Sequence, residues 1–387
     1  MPGLLGLARD SSVGSSSVTS PEWSTKRRTD ASRQLAHFLQ NGQASMRHFR
    51  TWAGRQRVKV LVLTHREIEQ LMPVDACIGV MAQALEALAR GDVYQPLRMV
   101  IHPPNAPGLM GLMPAVLSGT GRKPAYGLKV VCLFADNSAR GKDMHQGSVL
   151  LFDGTTGELL ALMNASAITA IRTAAVSGLA TRLLARGDAG DLAIIGAGVQ
   201  ARTHLLAMAA VRTLRRVRVA SRNIERARTL ALEMQSQVAC EIEPMPSAAQ
   251  AMRGADLVVT ATTSTEPVID RSWVAPGAHL NIVGASLPRA REVDSATMAA
   301  AAVFVDRRES TLAESGDYLL AVAEGVIGPD HIRAELGELL TGERQGRRSP
   351  EEITLFKSLG LAVEDLASAE FLHQRAQDVG VGTWVEF

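Results

Sequence analysis

Gly196-Ala197-Gly198-Val199-Gln200-Ala201 follows an apolar run and precedes a helical pattern. Alone, a G-x-G-x-x-A is a weak signal. Here a strand stands before it, a helix after it, and a second strand ends near Ser221, the context that dinucleotide binding requires. Gly196 and Gly198 permit a tight turn and close backbone approach to a pyrophosphate. The helix N-terminus, with Val199 and Gln200 in its first turn, faces that negative charge. The end of the second strand reads Ala220-Ser221-Arg222-Asn223. An NAD site usually carries Asp or Glu there to hold the ribose 2′-hydroxyl. A hydroxyl and a guanidinium suit a 2′-phosphate instead, so NADP is preferred, while the nearby Glu225 leaves NAD open. Other residues able to do chemistry are Asp136, Asp143 and His145, in a polar loop between strands where a histidine is more often solvated. Asp306 and Asp317 read as a strand-end and a helix-start residue.

The elements that position these groups follow from periodicity. "VKVLVL" is a strand, Thr64 and Glu67 form a capping box, and "VDACIGVMAQALEALARGD" is a helix ended by Gly91. "LRMVIHPP", "GLMGLMPAVL", "YGLKVVCLF" and "GSVLLFD" read as strands, and "DGTTGELLAL" has the turn chemistry of a hairpin. A long Ala-rich helix, "ASAITAIRTAAVSGLATRLLAR", leads into strands that alternate with helices, the signature of a parallel sheet. The tail holds a strand turning into a helix. The fold class expected is α/β: a Rossmann doubly wound parallel sheet plus a split α+β substrate-binding and dimerisation domain. The boundaries are 58–186 and 312–387 for the substrate domain and 187–311 for the nucleotide domain. The substrate is expected in the crevice at the carboxyl ends of the strands.

The chain of 387 residues has room for about two domains. With 21% charged and 46% apolar residues and a net charge of +2, it gives no global sign of a nucleic-acid or membrane partner. No apolar run reaches the roughly 18 residues that a membrane helix needs. Cys77, Cys132 and Cys240 form no C-x-x-C pair, so three buried thiols in a reducing, cytoplasmic setting are expected rather than a metal site or disulfides. Residues 1–57, rich in Ser, Thr and Arg, read as a disordered extension. A non-functional extension is preferred there to an organelle transit peptide.

"YGLKVV", "HQGSVLLFDGTTGELLALMNASAITAIRTAAVSGLATRLLAR", "IIGAGVQA", "ADLVVTATTS", "PGAHLNIVGAS" and "FKSLGLAVEDLA" resemble the ornithine cyclodeaminase/mu-crystallin family, in order, from about Val60 to the C-terminus. The resemblance implies a homodimer, a Rossmann domain, and chemistry at the α-carbon of an amino or imino acid. It assigns substrate contacts to Arg98, Lys129 and Arg172, with Gly360 beside them, and adds Thr262, Val283 and Gly284 to the cofactor set. The chemistry fits: Arg offers a bidentate fork for a carboxylate, and a buried Lys can move a proton at an imine nitrogen. A solvated helix face is the alternative for Arg172, and a solvated strand face for Lys129.

Two departures narrow the activity that the resemblance implies. Ornithine cyclodeaminases resemble "VGGD" where this chain has Val283-Gly284-Ala285-Ser286, and they carry a Glu where this chain has Gly111. A serine hydroxyl is a poor base without an activating partner. Cyclodeamination needs an anchor for the distal amine and a proton shuttle, whereas imine reduction needs only a hydride, a carboxylate clamp and one proton donor. The leading expectation is therefore an NAD(P)H-dependent reductase of a small α-imino acid, such as pyrroline- or piperideine-2-carboxylate. Lys129 and Ser286 would be its catalytic residues, Ser286 orienting the imine nitrogen or a water. The alternatives are ornithine cyclodeaminase, an alanine or N-alkyl amino-acid dehydrogenase, and a non-catalytic crystallin-like binding protein.

Overall fold

Alternating apolar and polar residues build the first sheet, and a computed structural model describes it within residues 58–387. The expectation of an N-terminal extension lies outside the described residues. The strands are β1 (Lys59–Leu63), β2 (Val93–Tyr94), β3 (Met99–Ile101), β4 (Gly108–Leu117), β5 (Ala125–Phe134), β6 (His145–Asp153) and β7 (Leu159–Asn164). β4, β5, β6 and β7 form an antiparallel meander, and β7 pairs in parallel with β1. The capping box at Thr64 and Glu67 forms as the sequence indicates.

Asn164 caps the Ala165–Leu184 helix, its side chain accepting from the Ala167 amide. This helix is buried on almost every side, which is why it is rich in alanine: small side chains let neighbouring elements approach closely. It lies in one apolar core with Leu61, Val149, Phe304 and Phe356, and so joins the first sheet to a second.

The second sheet is parallel throughout. Its strands are β8 (Asp191–Ile195), β9 (Arg216–Ala220), β10 (Ile242–Met245), β11 (Leu257–Thr260), β12 (His279–Ile282), β13 (Ala302–Val305), β14 (Ile332–Glu335) and β15 (Thr354–Lys357). Their order is β10-β9-β8-β11-β12-β15-β13-β14. The order reverses between β8 and β11, which places a crevice at their carboxyl ends. This is the Rossmann arrangement expected, with the split α+β unit around it.

One boundary needs correction. Residues 312–387 do not all belong to the substrate domain, because β14 and β15 lie inside the nucleotide sheet. β15 enters between β12 and β13, a non-local pairing that no local pattern in the sequence announces. Only after β15 does the chain cross back, through the Ala362–Val379 helix, which packs on β4, β5 and β6. A last strand, β16 (Thr383–Glu386), then pairs antiparallel with β1.

Candidate active site

Gly196 sits at φ 123°, in the region that favours glycine, and a Cβ there would lie 2.9 Å from the carbonyl carbon of Ala261. Gly198 is the N-cap of the Val199–Val211 helix, with no side chain satisfying the first amides and open space where its Cβ would be. The helix therefore offers free N–H groups to an anion. A cleft of about 600 Å³ opens there, lined by Gly196, Gly198, Ser221, Arg222, Arg226 and Thr262, among others. The carboxylate nearest in sequence, Glu225, does not line it and pairs with Arg228 at 2.7 Å. A dinucleotide fits this set: glycines under the turn, a helix N-terminus, and Ser and Arg at the second strand end.

Val283 and Gly284 follow β12; neither lines the cleft, but Gly284 lies against Thr262, which does. Thr262 and Gly284 are both braced by Glu292, which the sequence reading missed. Its fully buried Oε1 accepts from the Thr262 amide (2.8 Å) and hydroxyl (2.7 Å). Its Oε2 accepts from the Thr260 hydroxyl (2.8 Å) and the Gly284 amide (2.5 Å). Burial raises its carboxyl, with Lys357 opposing. Beneath them Lys357 pairs with Asp317 at 3.0 Å and donates to the Ala285 carbonyl at 2.5 Å. Asp317 is at a helix start, as read, but it is buried and accepts from the Glu292 and Val293 amides. Ser286 is half-buried on the same loop, and its hydroxyl makes no hydrogen bond among the described residues.

The basic residues come together on the other side. Lys129 lies mid-strand in β5 and is 3% exposed; Arg172 is 4% exposed. The solvated-face alternatives therefore fail for both. Lys129 Nζ stands 2.7 Å from Asp365 Oδ2. Arg172 Nε donates to Asp365 Oδ1 at 3.1 Å, and its Nη1 donates to Glu364 Oε2 at 2.8 Å. Gly360, at φ 78°, lies flat against the Arg172 guanidinium. Asp306 Oδ2 accepts from the Leu359 and Gly360 amides at 2.6 and 2.7 Å. Arg98 Nε pairs with Glu314 at 2.7 Å, and its Nη2 donates to the carbonyls of Leu359 (2.7 Å) and Gly360 (3.1 Å). Arg98 thus has only Nη1 free of a partner.

Burial dominates the electrostatics. It lowers Lys129 to about 8, with Arg172 and Arg98 acting in the same direction and Asp365 only partly opposing. It raises Glu364 to about 7, helped by Asp306 and Asp365 against the pull of Arg172. Burial also pushes Asp365 up, but Arg172 and Lys129 outweigh it and hold the carboxyl below its ordinary value. His145 is not a solvated loop residue, as its neighbourhood in the sequence had indicated. It opens β6, and burial together with Lys129 and Arg172 lowers it to about 4, so it is neutral at pH 7.

The two halves meet at Thr169, whose hydroxyl is 3.5 Å from Lys129 Nζ and whose carbonyl is 3.5 Å from Gln200 Nε2. The basic cluster thus lies one residue away from the dinucleotide turn. Glu364 and Asp365 sit inside the "FKSLGLAVEDLA" block, so a signal was present. It could not be read as partnership with Lys129, because the pairing spans most of the chain.

Residues 58–380 match the ornithine cyclodeaminase/mu-crystallin family. The ketimine reductase mu-crystallin of Mus musculus is 41% identical over 283 residues, 73% of this chain and 85% of that protein. The structure of Thermococcus litoralis Δ1-pyrroline-2-carboxylate reductase in complex with NADH and L-proline superposes with a TM-score of 0.81 at 40% identity, covering 84% of this chain and all of that one. An archaeal alanine dehydrogenase dimer with bound NAD gives a TM-score of 0.79 at 31% identity, covering 85% of this chain and all of that one.

Proposed function

The chain belongs to the ornithine cyclodeaminase/mu-crystallin family, and on that premise we propose that it reduces a small cyclic α-imino acid, such as pyrroline- or piperideine-2-carboxylate, with a reduced nicotinamide cofactor. One observation carries the choice of reduction over cyclodeamination. The two positions where the cyclodeaminases carry carboxylates are Gly111 and Ser286 here. Gly111 pairs with Val131 and Met113 with Lys129, so Gly111 shares a strand face with the lysine and puts no side chain there. A distal amine finds no anchor at that face, and position 286 offers a hydroxyl in place of a carboxylate.

When bound, the nicotinamide supplies a hydride to the imine carbon. Arg172, through the N–H groups that Glu364 and Asp365 leave free, holds the substrate carboxylate, and Arg98 Nη1 contributes from the other side. Lys129 gives a proton to the imine nitrogen and is left as a neutral amine, to be recharged from solvent. Ser286 orients the nitrogen or a water. The burial that surrounds Lys129 and Arg172 keeps water out and strengthens both contacts.

NADPH is the preferred cofactor on the residues of the cleft. Arg222 and Arg226 line it, and its neighbour Glu225 is paired elsewhere. Arg222→Glu is expected to raise the KM for NADPH about tenfold to a hundredfold, the worth of a charge-assisted contact, and to leave that for NADH close to wild type. Steady-state kinetics with the two cofactors checks this; equal effects on both would remove Arg222 from 2′-phosphate recognition. A homodimer is proposed through the outer face of β3, β4 and β5, where Met99, Ile101, Met110 and Tyr126 are exposed. The free thiols of Cys77, Cys132 and Cys240 suit a reducing cytoplasm.

The test of the reaction is product analysis. Pyrroline-2-carboxylate with NADPH should yield proline, and ornithine with NAD should release no ammonia. Proline and ammonia from ornithine would establish the cyclodeaminase instead.

A further inference from the structure

We propose that Asp365 is a positioning residue for the reaction: its carboxylate bridges Lys129 and Arg172 and ties the proton donor to the carboxylate clamp. The inference rests on the reading of Lys129 as that donor.

The geometry is specific to this residue. Asp365 Oδ2 is 2.7 Å from Lys129 Nζ, and Oδ1 is 3.1 Å from Arg172 Nε. Asp365 lies in the first turn of the Ala362–Val379 helix, where the helix dipole favours an anion. Its neighbour Glu364 reaches Arg172 only. The groups facing Lys129 from each surrounding element are Asp365 from this helix, Arg172 and Thr169 from the Ala165–Leu184 helix, Arg98 from the segment before β3, and His145 from β6. Two of these are cations and His145 is neutral at pH 7, so Asp365 is the anion in contact with the ammonium. A buried lysine that loses such a partner gives up its proton at lower pH. Asp365 therefore does two things at once: it aims Nζ along one fixed direction, and it keeps the ammonium charged while the enzyme works.

Asp365→Asn separates this role from simple packing. An opposite charge at this distance moves a titration by at least about one pH unit, so the alkaline limb of kcat/KM should move down by about that much. The ratio of kcat/KM at about pH 6.5 to that at about pH 8.5 should grow roughly sixfold. Asp365→Glu keeps the charge and should keep the wild-type limb, with a lower kcat. The same titration read from the Lys129 side chain by NMR of lysine-labelled protein, which needs no turnover, should move down with it. NADPH binding reports that each variant is folded. If Asp365→Asn loses the same factor of activity at every pH, or the Lys129 titration does not move, the positioning role is wrong. A downward-moved limb in Asp365→Glu also contradicts it. A wild-type enzyme that reduces no imine overturns the functional reading, and with it the role of Asp365 in the reaction.

Discussion

Lys129→Ala is expected to lower kcat for imine reduction by about a hundredfold to ten-thousandfold, the range that a positioned general acid contributes. NADPH binding should change little. The lysine is buried on β5, and it does not line the cleft proposed for the dinucleotide. Truncation leaves Asp365 paired with Arg172, so no isolated charge is stranded in the core and the chain should fold. The wild-type enzyme should also lose kcat/KM as pH rises through about 8, because burial lowers the Lys129 ammonium to that value and only the charged form can donate. Kinetics across pH, with cofactor binding followed by fluorescence, checks both points. Wild-type rates in the alanine variant would remove Lys129 from the mechanism.

Gly360→Ala is the second large effect. Gly360 sits at φ 78°, where a side chain is strained by about 1–2 kcal/mol. A Cβ would also lie 2.8 Å from Arg172 Nη2 and 3.0 Å from its Cζ. The guanidinium cannot yield cheaply, because Glu364 and Asp365 hold it. The backbone cannot yield either, since the Gly360 amide is bound by Asp306 and its carbonyl by Arg98. The substitution therefore displaces the proposed clamp. A loss of kcat/KM for the imino acid of about a hundredfold is expected, within the range that small misplacement costs a site, with cofactor affinity retained. Gly380→Ala is the control. It has φ 70° at the end of the Ala362–Val379 helix and nothing within 4 Å of its Cβ, so it should lose stability alone. Equal activity losses in the two variants would mean that Gly360 matters for backbone strain and not for the clamp.

The parts of this molecule that local chemistry dictates were legible. The turn at Gly196 and Gly198 could be read because glycines between a strand and a helix have few other uses. The Thr64 capping box and the Asn164-led helix follow from short-range hydrogen bonds. Lys129 and Arg172 could be named from motifs, but their burial could not, because strand and helix patterns around them are compatible with a wet face. Their partners were invisible for a different reason. Asp365 meets Lys129 only because β15 is threaded into the second sheet before the chain returns to the first, and pairing at that separation leaves no local trace. Glu292 is similar: it is one carboxylate in a polar loop until the fold brings Thr260, Thr262 and Gly284 around it. His145 was read as solvated because its sequence neighbours are polar, whereas in the fold it is largely buried and within the electrostatic reach of Lys129 and Arg172.

Net cofactor consumption separates imine reduction from cyclodeamination most directly, since a cyclodeaminase returns its hydride within each cycle. The measurement is loss of the reduced-nicotinamide absorbance when NADPH and pyrroline-2-carboxylate are mixed with the protein, with proline quantified in the same sample. The result expected is one equivalent of cofactor oxidised for each proline formed. No loss of absorbance, with ammonia released from ornithine in the parallel sample, would contradict the assignment.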